Sequence, residues 1–307
     1  EKKQKQPNNE INKQNKNAKI ENNKAKGSNE KTKNGCDPSS DNKPSEKIIF
    51  SFVSVMNKLF EANYDLKKIL SKSYNIFELK KVIGYENVLP LMGRIILDTF
   101  GLANDKIINI DKLDSFLSSM QSQYYKSTLY HNSMHGADVT QMVSLFFLNS
   151  NAEEVCETNV LDLLGILVAS LGHDIGHPGL NNNYQINSSS NMAITYNDQS
   201  CLENFHTSKL FVLLRTEENN IFDKLNTQEY KTIRKRMISE ILATDMANNG
   251  KIMTVIKSKI TQNLMDTNDQ KPSKFPFLSG NEKTKFEEQQ NLLDLLIHSA
   301  DLSHNTR

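Results

Sequence analysis

The 307-residue chain has no tryptophan and only three cysteines, Cys36, Cys156 and Cys201. Three cannot pair off and none forms a C-x-x-C spacing, so a disulfide scaffold and a cysteine-built zinc finger are both excluded, and a reducing, cytoplasmic setting is expected. Long apolar runs are missing as well. The longest, Leu161 to Leu171, is interrupted by Asp162 and Gly165 and falls short of the ~20 residues a spanning helix needs, so no membrane span is expected. Strand-like alternation is nearly absent.

Charge of one sign is also scarce, with a formal net charge of +1. Residues 1–47 nevertheless hold twelve lysines against seven Asp or Glu, which leaves 25 basic and 29 acidic residues in the rest. A mildly acidic body lacks the clustered Lys and Arg that neutralise phosphates, so nucleic acid is excluded as a partner. The tail carries no aromatic residue, and its apolar residues are Ile11, Ala18, Ile20, Ala25 and Cys36. Such a segment cannot bury enough surface to offset its ordering entropy and is expected to be a disordered, Asn/Lys-rich spacer. No apolar stretch follows its basic start, as a secretory signal would require.

Residues 48–307 are patterned for helix. Ile49, Phe52, Val53, Met56, Leu59 and Phe60 form one apolar stripe, and similar patterns recur over 88–100, 139–148, 160–171, 210–214, 233–242 and 292–297. This predicts an all-α, compact multi-helix bundle, punctuated at Gly84, Gly101, Pro178-Gly179 and Asn248-Asn249-Gly250. The polar stretch from Asp266 to Lys285, with Pro272 and Pro276, is expected to be an exposed loop.

All seven histidines fall between 131 and 304. His131 and His135 are four apart in a segment of helical character, which predicts that both emerge from one face. His173-Asp174 closes a buried apolar helix, His177 follows four residues after His173, and Pro178-Gly179 is expected to stop the helix. Asp301 ends another apolar helix, with His298 and His304 around it. A divalent metal site wants imidazole nitrogen mixed with carboxylate oxygen and room for water and substrate. His135, His173, Asp174 and Asp301 supply that mixture. One His pair is weak evidence, but an adjacent His-Asp with a second His four residues on is strong, because such groups are costly to bury unless paired or metal-bound.

Five segments, Tyr130-His131-Asn132-Ser133-Met134-His135, His173-Asp174-Ile175-Gly176-His177-Pro178-Gly179, Leu202-Glu203-Asn204, Ala243-Thr244-Asp245-Met246 and Ala300-Asp301-Leu302-Ser303, resemble in content and order the class I cyclic nucleotide phosphodiesterases. The resemblance runs from about Ile76 to the last residue. It implies metal-dependent hydrolysis of cAMP or cGMP to a 5′-monophosphate. It implies further that His135, His173, Asp174 and Asp301 hold a tight zinc, and that Asp174 bridges to a second ion, magnesium or manganese. His131 is then the general acid for the leaving 3′ oxygen, and Glu203 the carboxylate that orients it. His177 and Thr244 would contact solvent around the ions, and Tyr130, Asn182 and Met246 would sit at the pocket wall or its supports. Plainer alternatives are packing for Tyr130 and Met246, and a helix back-bond for Thr244. His298 reads as structural.

Two departures stand out. His304 occupies a position where many members carry an asparagine that meets the purine, and Phe205 stands where the family commonly has the first of two histidines. The chain also stops at Arg307, ahead of the helices that carry the family's purine-binding glutamine and aromatic clamp, so it reads as truncated before them. Related protist enzymes often carry membrane spans ahead of this domain, which leaves membrane attachment of a longer product open. Two rival readings stay in play: another His-Asp metal phosphohydrolase, and an inactive metal-binding fragment whose Leu292, Leu293, Leu295 and Leu296 lie partly uncovered.

Overall fold

A computed structural model describes residues 50–266, 278 and 282–306. The tail at 1–47 and most of the expected loop between Asp266 and Lys285 lie outside the described residues. Thirteen α-helices follow one another with no strand among the described residues: α1 (Phe52–Glu61), α2 (Ile76–Ile83), α3 (Tyr85–Thr99), α4 (Leu113–Gln123), α5 (Ser133–Ser150), α6 (Ala152–Cys156), α7 (Val160–Gly172), α8 (Asn182–Asn187), α9 (Asn191–Tyr196), α10 (Cys201–Leu214), α11 (Thr227–Leu242), α12 (Asn249–Asp266) and α13 (Glu282–Leu302). The all-α expectation is met.

The abundant asparagines do much of the local work. Asn75, Asn132, Asn159, Asn181 and Asn226 each stand just before a helix and accept a backbone N–H from its first turn. Each such cap is worth about 1 kcal/mol. At Asn159 and Asn226 the third helical residue, Asp162 or Glu229, returns a bond to the cap's own N–H and completes a capping box.

Helix α7 is apolar on nearly every side and is buried from Asp162 through Gly172, as expected of a central helix. Helices α3, α5, α11 and α13 pack around it. Helix α5 comes closest near Gly136, where an added Cβ would lie 2.8 Å from the Tyr124 hydroxyl and 3.0 Å from the Leu171 carbonyl. Of the four leucines expected to be partly uncovered in α13, Leu292 and Leu293 are buried, whereas Leu295 and Leu296 are only partly buried.

Three boundaries differ from the sequence reading. Helix α7 ends at Gly172, before Pro178, because Gly176 takes a left-handed φ of 75° that turns the chain out of the helix. His131 precedes α5, since Asn132 caps that helix and starts it at Ser133. Helix α12 starts at Asn249, which places Gly250 inside its first turn.

Candidate metal centre

The end of α7, the start of α5 and the end of α13 meet at one point. His173 caps α7 and Asp174 follows it. His135 lies in the first turn of α5 and Asp301 in the last turn of α13. His135 Nε2 is 2.8 Å from Asp301 Oδ1, 3.3 Å from His173 Nε2 and 3.5 Å from Asp174 Oδ2. His173 Nε2 is 3.5 Å from both Asp174 Oδ2 and Asp301 Oδ1. Four donor atoms around one ion at ~2.0–2.1 Å would be spaced ~3.3–3.4 Å apart in a tetrahedron. The observed spacings fit that figure closely except for the short His135–Asp301 contact.

The hydrogen bonding is arranged to match. His173 Nδ1 lies 2.8 Å from the Ser170 carbonyl, which places a proton on Nδ1 and turns Nε2 toward the other donors. Burial pulls the His173 pKa down, but the carboxylates of Asp174 and Asp301 prevail and carry it up to about 9. Burial would likewise raise Asp301, yet its bonds to His135 and His173 hold it far below the usual carboxylate range. Asp174 Oδ2 is buried and accepts no hydrogen bond. Two imidazole nitrogens and two carboxylate oxygens crowded this closely need protons or a cation between them, and a divalent ion can replace the ring protons.

Asp174 also belongs to a second group, with His177 and His206. His206 Nδ1 is 2.8 Å from the Ile175 carbonyl, and its buried Nε2 makes no hydrogen bond and lies 3.8 Å from Asp174 Oδ1. His177 differs, since its Nδ1 accepts the Gly179 N–H at 2.9 Å, so in the neutral ring Nε2 carries the proton. Burial keeps both rings neutral, pulling His177 down to about 3 and His206 to about 4. His206 is a residue whose role the sequence reading left unassigned. The signal available was its i, i+3 spacing from Glu203, which puts both on one face of α10.

His131 stacks on His177 with ring centroids 4.2 Å apart and meets His135 edge-on at 5.8 Å. The two four-apart histidines therefore share the site without sharing a helix face. Burial holds the pKa of His131 below its ordinary value. Glu203, pushed up to about 7 by burial, does not bond to His131. Both its oxygens accept from Asn182 Nδ2, at 2.9 and 3.2 Å. The carbonyl oxygen of Asn182 accepts the Leu202 N–H at 2.9 Å, so both of its polar atoms are engaged in tying α8 to α10. Thr244 Oγ1 donates to the Ile241 carbonyl at 2.8 Å, and Met246 is exposed. The Tyr130 ring sits 4.7 Å from His135 and 4.9 Å from His304. All three line an open groove of about 1670 Å³ that continues past Asp138, Met142 and Phe146.

Residues 130–307 match the 3'5'-cyclic nucleotide phosphodiesterase family. The chain is 32% identical over 246 residues to the 3',5'-cyclic-nucleotide phosphodiesterase regA of Dictyostelium discoideum, covering 80% of this chain and 28% of that protein. It is 35% identical over 193 residues to isoform F of a 3',5'-cyclic-AMP phosphodiesterase of Drosophila melanogaster, covering 63% of this chain and 27% of that one. It thus spans under a third of the length of either relative. Among solved structures, the phosphodiesterase domain of the RhoPDE fusion protein of the choanoflagellate Salpingoeca rosetta is similar, with a TM-score of 0.63, 27% identity, and 79% of this chain and 69% of that one covered.

Proposed function

This chain belongs to the 3'5'-cyclic nucleotide phosphodiesterase family, and we propose that it hydrolyses cAMP, cGMP or both to the 5′-monophosphate. The reading is carried by the four donor atoms of His135, His173, Asp174 and Asp301, brought from three helices to near-tetrahedral spacing with Asp174 Oδ2 left without a hydrogen bond. Those four residues would hold a tight zinc, with Asp174 and the bare Nε2 of His206 beside a second site for magnesium or manganese. Such ions supply Lewis acidity toward the phosphoryl oxygens and lower the pKa of a coordinated water to near neutral.

The remaining steps belong to the chain's own side chains. His131, whose ring lies 5.8 Å from that of His135, would protonate the 3′ oxygen as the P–O3′ bond breaks, leaving a free 3′ hydroxyl. Its ring is packed by His177, which stacks on it, and by Tyr130, which meets it edge-on. Nε2–H of His177 is a hydrogen-bond donor for solvent near the reacting phosphorus. Glu203, fixed by Asn182, supplies an acidic group on the α8–α10 side, and the Thr244 hydroxyl, bonded to the Ile241 carbonyl, is engaged within its own turn. Tyr130, Met246 and His304 border the space where the nucleoside would lie. We place the enzyme in a reducing cytoplasm, in keeping with its sparse cysteines.

The test is turnover of cAMP and cGMP by this chain with zinc plus magnesium or manganese, against a chelator control. Chelator-sensitive release of 5′-monophosphate is expected. Hydrolysis of linear nucleotides only would restore the rival His-Asp phosphohydrolase reading.

A further inference from the structure

Well away from the donor cluster, Arg236 of α11 is buried to 1% exposure. Its guanidinium makes four hydrogen bonds. Nε donates to Asp162 Oδ1 of α7 at 2.9 Å. On α13, Nη1 donates to the Phe286 carbonyl at 2.7 Å and Gln290 Oε1 at 3.2 Å, and Nη2 to Gln289 Oε1 at 2.9 Å. The ring of Phe286 lies 3.7 Å beneath the guanidinium carbon. One side chain thus joins α7, α11 and α13.

The spacing from this junction to the donor cluster is the same on two helices. Asp162 precedes His173 by eleven residues, and Gln290 precedes Asp301 by eleven. Eleven residues are close to three turns, so on each helix the residue that meets Arg236 and the donor it precedes share one face, ~16 Å apart. Both helices run from the junction toward the donor cluster. A slip of one residue along either would move its donor by about 1.5 Å and swing it by ~100°, whereas a metal site tolerates about 0.2 Å. His135 arrives separately, on α5, set by the close approach of Gly136 to Leu171.

We propose that Arg236 is a positioning residue for the metal centre, setting the axial register of α7 and α13 so that His173, Asp174 and Asp301 arrive together. The proposal rests on reading those three residues, with His135, as metal ligands. Lysine cannot replace the guanidinium here, because one ammonium cannot span acceptors on two helices in fixed directions.

The test compares Arg236→Lys with Leu59→Ala, a core truncation in α1, at matched loss of thermal stability. Zinc affinity is read by chelator competition, and coordination by the absorption of the cobalt(II)-substituted protein. Arg236→Lys is expected to weaken zinc binding by ~10–100-fold, the range seen when groups behind metal ligands are lost, and to alter the cobalt spectrum. Leu59→Ala should leave both unchanged. Equal shifts in the two variants, or wild-type zinc affinity in Arg236→Lys, would overturn the proposal. If Arg236→Lys does not fold, the double variant Gln289→Ala/Gln290→Ala, which removes two of the three acceptors on α13 and leaves Asp162 in place, decides by the same criteria. The readout is binding, so a chain that takes up zinc but turns over no cyclic nucleotide still tests the register role. Wild-type protein that binds no zinc would sink the metal reading and this proposal with it.

Discussion

The two ends of α7 bury polar groups at similar depth and treat them in opposite ways. At the N-terminal end Asp162 accepts the Arg236 Nε–H at Oδ1 and the Asn159 N–H at Oδ2, so both carboxylate oxygens have a partner. At the C-terminal end Asp174 Oδ2 and, across from it, His206 Nε2 are buried without a hydrogen bond. Desolvation is costly at both ends. One end meets that cost with an internal ion pair, and the other leaves coordination capacity open, which is what the proposed ion would use.

The contrast can be tested from its strongest arm downward. Asp301→Ala should strip the tight metal and lower turnover on the order of 10³-fold or more, since paired ions supply several kcal/mol of transition-state stabilisation; metal content by atomic emission and kcat read this together. His131→Ala should cut kcat by about 10²–10⁴-fold while metal content stays at the wild-type level. Should His131→Ala lose the metal and Asp301→Ala keep it, the two roles are exchanged.

At the closed end, Asp162→Asn leaves the Arg236 charge buried without its counterion and should cost about 3–5 kcal/mol in denaturant unfolding. A loss no larger than that of a surface substitution would show that this end is not a closed ion pair. Asp294 gives a pH-dependent check on the same region. Burial lifts it to about 6, even though Gln290 and Ser239 bond to it. A carboxyl raised in the folded state holds its proton more tightly than the unfolded chain does, so its contribution to stability is full below about pH 4 and is lost as pH rises through about 6. Wild type measured against Asp294→Asn should therefore lose on the order of 2 kcal/mol between those limits.

Glu240 sharpens the comparison. Both its carboxyl oxygens are buried without a hydrogen bond, and burial drives its pKa well above the ordinary value. It lies in α11, one turn after Arg236, and contributes no donor to the metal centre. Glu240→Met should raise stability by about 1–2 kcal/mol at pH 7 with metal affinity unchanged. An unpaired buried group thus marks a binding site only where others converge on it.

Much of this was legible in the residues. The 3.6-residue spacing of apolar side chains announced the helices, and buried His-Asp on an apolar helix pointed to the group of polar side chains that the fold brings together, because so few other arrangements make such groups tolerable. What escaped was set by tertiary approach. Nothing in the spacing of Asp162 and Arg236, 74 residues apart, signals their pairing. The engagement of Glu203 by Asn182 rather than by His131 depends on how α8 meets α10. His131 was assigned to a helix because its spacing from His135 suited one, whereas Asn132, a strong cap, starts the helix one residue later.

The asparagine caps bear on how the protein ages. Slow loss of ammonia turns asparagine into aspartate, and at Asn75, Asn159, Asn181 and Asn226 the cap uses only the side-chain oxygen. Aspartate caps as well, and its charge suits a helix N-terminus, so these helices should outlast the change. The cap Asn132 is different, and so is Asn182, the first residue of α8, because their amide N–H groups are also in use, toward the Thr128 and Leu129 carbonyls and toward Glu203. Conversion at Asn182 would set carboxylate against carboxylate at the edge of the metal centre. Chemical wear there would reach activity long before it reached the fold.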